Sequence, residues 1–463
     1  MQIPHEIFKA YDIRGIVGKT LTPAIVETIG QALGSEATMR RQTRICIGYD
    51  GRLSGPELAA ALSRGIRSTG IHVINLGMVA TPMVYFAAHH LGTHCGVMVT
   101  GSHNPPDYNG LKMVLAGETL SGEAIQGLRQ RILSNQLFEG KGSESSYDIA
   151  PDYIAKIQSD IKLSRRMKIA VDCGNGVAGA FAKTLYEAIG CEVEELFCEV
   201  DGHFPNHHPD PSVPDNLTDL ITTLKNGDAE IGLAFDGDGD RLGVVTKDGN
   251  IIYPDRQLLL FAAEVLKQNP AATIIYDVKS TRHLAPWIAA RGGEPVIWKT
   301  GHSLVKAKIK ETGAALAGEM SGHVFFNDSR DGQKRWYGFD DGLYAGARLL
   351  EILSQSDDAS LILNTLPDSV STPEQHIQMQ EGEPHTLIAA LQKSAVFEGA
   401  DRVITIDGLR VEYPDGFGLM RPSNTTPVIV LRFEADSLEA LQRIQAQFKK
   451  IILEAAPTAK LPI

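Results

Sequence analysis

The stretch Arg44–Arg52 reads RICIGYDGR, a β-branched and apolar run that stops at an acid and a glycine. The same order recurs in Met167–Gly176, MKIAVDCGNG, and in Thr273–Ser280, TIIYDVKS. Each copy predicts a strand, then a loop, then a helix-like segment. Strands alternating with helical periodicity build α/β units with mostly parallel sheets, so three copies predict three tandem, related α/β domains. Beyond the polar segment Ser354–Ser360 the pattern changes to short strands, Arg402–Ile406 and Val428–Phe433, and a final helix near Leu438–Glu454. That tail predicts a smaller C-terminal α+β domain. Gly140–Ser146, GKGSESS, has the composition of a linker. Together these signals divide the chain at 1–147, 148–250, 251–365 and 366–463.

The length of 463 residues agrees with several domains. Asp plus Glu number 56 against 44 Lys plus Arg, a net charge of −12, which removes the broad basic face on which nucleic-acid binding depends. An anionic ligand must therefore be held by a local site. The five cysteines, Cys46, Cys95, Cys173, Cys191 and Cys198, contain no CxxC pair, which argues against a disulfide framework and a thiolate zinc site and predicts a reducing cytoplasm. Pro4, Glu6 and Asp12 stand where a signal peptide needs an apolar run. The longest apolar stretch, Leu258–Leu266, is broken by Glu264 and too short to span a bilayer, so no membrane partner is expected.

Phe235–Arg241, FDGDGDR, follows the apolar Ile231–Ala234 and so lies at a strand end. Asp236, Asp238 and Asp240, separated only by glycines, can fold around one hard cation because glycine tolerates the positive φ of a tight loop. All-oxygen ligation suits Mg²⁺, Ca²⁺ or Mn²⁺ rather than zinc. An EF-hand would need Gly at Arg241 and Glu at Lys247. Thr100–Pro105, TGSHNP, also follows an apolar run, Gly96–Val99, and presents Ser102 beside His103 on a turn. No GxSxG elbow surrounds Ser102, which excludes the hydrolase triad reading. In Gly318–His323, GEMSGH, the residues Glu319, Ser321 and His323 alternate, which predicts one face of a strand-like segment able to grip vicinal sugar hydroxyls. Arg421–Pro427, RPSNTTP, packs a cation, three hydroxyls and an amide into one loop suited to a phosphate.

Two further motifs compete. Gly174–Gly179, GNGVAG, satisfies G-x-G-x-x-G after a strand, with Glu194 downstream, and would support an NAD-dependent oxidoreductase. No Walker A sequence occurs, which disfavours an ATP-driven kinase. His203, His207 and His208 sit among three prolines, a pattern that predicts a rigid exposed loop rather than a metal cluster. The three acids would also serve a metal-dependent phosphatase.

TGSHNP, FDGDGDR, GEMSGH and RPSNTTP, in that order, resemble the α-D-phosphohexomutase superfamily and most closely its bacterial phosphomannomutase/phosphoglucomutase branch. The resemblance runs from Phe8–Gly15, FKAYDIRG, to the last domain. It implies four domains around a central active-site cleft, each contributing one loop. It further implies that Ser102 carries the transferable phosphoryl group and that Asp236, Asp238 and Asp240 hold Mg²⁺, with a phosphate oxygen on Ser102 completing the metal site. Glu319 and Ser321 match sugar contacts, and Arg421, Ser423, Asn424 and Thr425 match the loop for the non-reacting phosphate. Tyr11, Arg14, His103, Lys112, Arg241, Lys279, His302 and His323 fall in segments lining the cleft. Lys9 stands where the family often has Arg, and Pro422 replaces a smaller residue and removes one backbone N–H.

The implied reaction is reversible conversion of hexose 1-phosphate to hexose 6-phosphate. It runs through a phosphoserine and glucose 1,6-bisphosphate or mannose 1,6-bisphosphate, in a cytoplasmic monomer. A serine that starts phosphorylated acts as a leaving group and needs no triad base. The bisphosphate must turn over in the cleft. Contacts from Glu319 to O3 and O4, near the pseudo-symmetry axis of the two poses, would allow this and accept both glucose and mannose. A proton carrier is required, with Lys112 and Arg14 on one side and His323 on the other. Arg14 resists deprotonation, which leaves Lys112 or His323. Phosphoglucosamine mutases are the alternative within the family, but they usually carry an SGTE-like loop where this chain has Ser423–Thr426, SNTT.

Overall fold

Arg44–Tyr49 pairs in parallel with His72–Met78 on one side and with Gly96–Val99 on the other, and Gly96–Val99 reverses into the antiparallel strand Tyr108–Leu115. Lys168–Asp172 repeats the arrangement, with Glu192–Leu196 and Ile231–Phe235 as parallel neighbours and Leu242–Thr246 as the antiparallel return. Thr273–Asp277 does so again, with Glu294–Trp298, Leu316–Gly318 and Val324–Phe326. The computed structural model describes residues 3–424 and 426–462. In each of the three units the reversal between third and fourth strands creates a loop at the same topological position. These loops contain TGSHNP, DGDGDR and EMSGH. Each extends from the carboxyl end of a strand paired in parallel with its unit's first strand, where open α/β sheets place their ligands.

The third strands are apolar throughout; Gly96–Val99 and Ile231–Phe235 are buried along their whole length, as strands covered on both faces must be. One apolar cluster runs through all three units, from Phe86 and Tyr153 through Tyr186 and Phe235 to Phe261, Phe326 and Trp336. The helix Gly342–Leu353, capped by Asp341 accepting from Tyr344 N, is buried at every residue and packs on strands of both the second and third sheets. That shared core ties the first three domains together.

The fourth domain is an antiparallel sheet carrying the helices Glu383–Ser394 and Leu438–Ala455, with its own core around Ile444, Phe448 and Phe433. It meets the third domain through polar contacts: Arg432 Nη2 donates to Asp255 Oδ2 at 3.0 Å, and Thr281 Oγ1 to Glu434 Oε1 at 2.8 Å.

Two expectations change. The stretch expected as a linker is docked, since Glu144–Ser146 pairs in parallel with His72–Met78 as an edge strand. Composition favoured a free segment, but serine can still supply the ladder with backbone groups. Ile251–Ile252 pairs with Leu242–Thr246 and so extends the second sheet. Among the described residues, no helix is long and apolar enough to cross a membrane.

Candidate active site

The first loop is held from below. Thr100 Oγ1 donates to Asp50 Oδ2 at 2.7 Å, Gly101 N donates to the same oxygen at 3.2 Å, and Ser102 N donates to Thr100 Oγ1 at 2.8 Å. Ser102 adopts a left-handed φ of +49°, a conformation unfavourable for a residue with a Cβ. Its hydroxyl donates to Asp236 Oδ2 at 3.0 Å and lies 3.3 Å from His103 Nδ1. The two loops touch closely enough that a Cβ on Gly237 would stand 2.3 Å from the Ser102 carbonyl oxygen.

Asp236, Asp238 and Asp240 are fully buried, and each offers an oxygen within 4.8 Å of the others. Asp236 Oδ1 accepts from Gly239 N and Arg241 N, which fixes the loop's curl. Lys112 Nζ donates to Asp238 Oδ2 at 2.7 Å and Asp240 Oδ2 at 2.5 Å, and Thr81 Oγ1 donates to Asp238 Oδ2. Among the described residues, Oδ1 of both Asp238 and Asp240 has no hydrogen-bond partner. Buried carboxylate oxygens left without donors fit a hard divalent cation. The charges agree. Burial and the neighbouring carboxylates push the Asp236 carboxyl well above its usual range. Burial acts in the same sense on Asp240, but Lys112 and His323 outweigh it and hold that group well below. Lys112 is raised, because the acids overcome its burial. His103 is held far below the usual imidazole value by burial, helped by Arg241 and Arg14.

The third loop is a tight turn and not the strand face expected for it. Glu319 N donates to His323 O, Gly322 N donates to Glu319 O, and Gly322 takes φ +102°. Two small residues between flanking strands allow this reversal, which alternation alone does not reveal. The turn still gathers the named groups. His323 Nδ1 lies 2.7 Å from Ser321 Oγ and 3.4 Å from Glu319 Oε2, while its Nε2 lies 3.4 Å from Asp240 Oδ1. Glu319 Oε1 accepts from Gly301 N at 2.5 Å; Oε2 has no hydrogen-bond partner. Burial raises the Glu319 carboxyl, with His323 in partial opposition. The His302 ring stacks beside His323 at 5.8 Å and meets the edge of Tyr11 at 5.6 Å. Burial, with Lys306 and Lys112, holds His302 well below the usual value.

Arg421 Nε donates to Asp407 Oδ2 at 3.0 Å, and the same oxygen accepts from Thr300 N of the third domain. Arg421 Nη2 is buried without a hydrogen-bond partner among the described residues. Ser423 Oγ accepts from Thr426 N, Asn424 is half-buried, and Thr425 lies outside the described residues. Asp407 thus joins Arg421 to Thr300, and at the next residue a Cβ on Gly301 would stand 3.1 Å from Tyr11 Cε1 of the first domain. Arg14 binds Asp12 and Asn104. Arg241 Nε lies 3.7 Å from Asp236 Oδ2 and 3.4 Å from His323 Nε2. Lys279 is occupied by Glu374 of the fourth domain at 2.6 Å.

Sequence reasoning missed Asp50, Arg52, Thr81 and Asp407. The first two follow the first strand of the repeat, which was the available signal. The packing of the glycine turn GNGVAG does not favour a dinucleotide. A Cβ on Gly176 would lie 3.0 Å from Gly237 Cα and one on Gly179 only 2.0 Å from Cys198 O, so both glycines serve close packing against protein backbone. A short 3₁₀ turn, Val177–Ala180, and the seven-residue helix Ala182–Ala188 follow it. His207 is half-buried and Nε2 lies 3.0 Å from Asp172 Oδ1, so the expected exposed loop includes one anchored ring.

Comparison with known proteins agrees with this geometry. Models of the phosphoglucomutase/phosphomannomutase family match in order: alpha/beta/alpha domain I over residues 5–138, domain II over 151–249, domain III over 253–370 and the C-terminal domain over 376–451. A phosphoglucomutase of Neisseria meningitidis serogroup A is 61% identical over 464 residues, covering 100% of this chain and 99% of that protein. The phosphomannomutase/phosphoglucomutase of Pseudomonas aeruginosa is 55% identical over 462 residues, covering 100% and 98%. The crystal structure of a phosphoglucomutase/phosphomannomutase family protein from Burkholderia thailandensis superposes with a TM-score of 0.95 at 58% identity, covering 100% of both chains. With loops of the first three domains meeting at one buried acidic site and the fourth domain's Arg421 tied through Asp407 to the third, the chain belongs to the phosphoglucomutase/phosphomannomutase family of α-D-phosphohexomutases.

Proposed function

We propose that this chain is an isomerase that interconverts hexose 1-phosphate and hexose 6-phosphate, of glucose and of mannose, through a phosphoserine at Ser102. The observation that carries the reading is the Ser102 hydroxyl donating at 3.0 Å to one of three buried carboxylates, two of which keep an oxygen with no hydrogen bond among the described residues. The names of the close relatives support the substrate class.

In the proposed reaction the phosphorus–oxygen bond to Ser102 breaks as a sugar hydroxyl forms a new one. The sugar proton passes to a base, and Ser102 oxygen leaves and is reprotonated. A Mg²⁺ ion held by Asp236, Asp238 and Asp240 would stabilise the charge that develops on the departing oxygen. Arg241 and Lys112 add positive charge beside it. Glu319 accepts hydrogen bonds from sugar hydroxyls through Oε2, and Arg421 donates from Nη2 to the distal phosphate. The glucose or mannose 1,6-bisphosphate then reorients and returns its other phosphoryl group to Ser102. His323 is the proposed proton carrier; Lys112, the other candidate, is raised by the acids it bridges and serves as fixed positive charge instead.

Intact-mass measurement of the purified protein tests the reading. A subpopulation heavier by one phosphate is expected, absent from Ser102→Ala. A uniformly unmodified, fully active protein would refute it. Glucose 1-phosphate and mannose 1-phosphate assayed side by side, primed by bisphosphate, define the preferred sugar.

A further inference from the structure

Arg52 follows the strand Arg44–Tyr49 and is 1% exposed. Its Nη1 donates to the carbonyls of Pro105 at 2.5 Å and Tyr108 at 2.9 Å, and its Nη2 to those of Ser102 at 2.8 Å and Asn104 at 2.5 Å. Its Nε lies 3.4 Å from Asp50 Oδ2, the oxygen that also accepts from Thr100 and Gly101. One guanidinium thus gathers four carbonyls of the serine loop. The loop lies flush on it: a Cβ on Gly101 would stand 2.4 Å from Arg52 Cζ. The Phe204 ring of the second domain covers Arg52 with its centroid 5.2 Å from Cζ.

This cradle explains how Ser102 keeps φ +49°. A strained conformation persists only where the surroundings over-determine it. Carbonyl oxygens drawn toward Arg52 are also kept from facing a dianionic group on Ser102. We propose that Arg52, oriented by Asp50, is a positioning residue that aligns phospho-Ser102 for in-line transfer, an inference that rests on the phosphoserine reading above. Transfer needs the serine oxygen, phosphorus and sugar hydroxyl in line, and a misplacement of about 1 Å costs about 100-fold in rate. Attack by water tolerates looser geometry. A loosened loop therefore slows transfer and raises the share of turnovers lost to hydrolysis, in which Ser102–O–PO₃²⁻ and water give Ser102–OH and HPO₄²⁻.

The test uses R52K and D50N in the full chain. Lysine keeps the charge but has three donors for four carbonyls, and D50N keeps the arginine should R52K fail to fold. Conversion of glucose 1-phosphate is assayed with a trace of glucose 1,6-bisphosphate, counting inorganic phosphate released per product. We expect kcat to fall about 100-fold, KM to stay within about threefold, and phosphate release per product to rise about tenfold or more. D50N alone is read if R52K is insoluble. Wild-type kcat and phosphate ratio in the folded variants, or a loss confined to KM or matching the unfolded fraction, overturns the proposal. A wild-type protein that turns over with no phosphate on Ser102 overturns the phosphoserine reading instead, a separate result visible by mass alone.

Discussion

Ser102 Oγ and Asp236 Oδ2 lie 3.0 Å apart although 134 residues separate them in the chain. Asp236 is buried beside two other acids, which raise its carboxyl along with the burial itself, so its charge is costly to the fold. Asp236→Asn should lower kcat by about 100-fold or more while raising the unfolding midpoint in EDTA by a few degrees. Steady-state kinetics and thermal melts on one preparation check both signs. A midpoint that falls with kcat contradicts the argument.

Lys112 bridges Asp238 and Asp240, so it balances the acids when no cation is bound. Removing it leaves buried charges uncompensated, a change that costs about 3–5 kcal/mol. Lys112→Met should therefore melt lower than the wild type in EDTA and show the larger upward shift on adding Mg²⁺. Calorimetry with and without the ion measures the difference of shifts.

Asp407 orients Arg421 and accepts from the Thr300 backbone through the same oxygen. Asp407→Asn preserves shape but weakens the hold on the guanidinium. If Arg421 holds the distal phosphate as proposed, KM for the sugar phosphate should rise about tenfold with kcat nearly unchanged, since the loss then falls on the non-reacting end of the substrate. An equal loss in kcat would count against Arg421 as a distal phosphate contact.

His207 adds a pH-dependent contribution. Burial lowers its pKa, but the hydrogen bond and charge of Asp172 more than offset this, and the folded value is raised. The native state then binds more protons than the unfolded one, so this stabilisation is complete below about pH 6.5 and fades as pH rises through the raised value. His207→Gln should cost about 1–2 kcal/mol at pH 5.5 and less at pH 9. Denaturant titrations at the two pH values give the comparison, and an equal cost at both rejects it.

The repeat was readable because its strands are continuous apolar runs ended by acids, and Lys168–Asp172 and Thr273–Asp277 lie where those runs fall. Composition was a poorer guide at Glu144–Ser146, where strand pairing uses backbone groups that side-chain identity does not report. The three acids of DGDGDR were legible because their chemistry is local. The cradle of Arg52 was not, since its acceptors are backbone carbonyls up to 56 positions away. The GEMSGH turn shows a related limit: alternation is shared by a strand and a tight reversal, and only Gly322 at φ +102° separates them.

Loops presented in the order Ser102, Asp236, Glu319, Arg421 carry a consequence for biosynthesis. A ribosome releases the serine long before the carboxylate that faces it, and Arg421, proposed for the distal phosphate, emerges last of all. Each nascent intermediate lacks at least one side of the reaction chamber. On the proposed reading, turnover therefore awaits finished translation, since a product stopped before the closing antiparallel sheet lacks both Arg421 and the Asp407 that orients it.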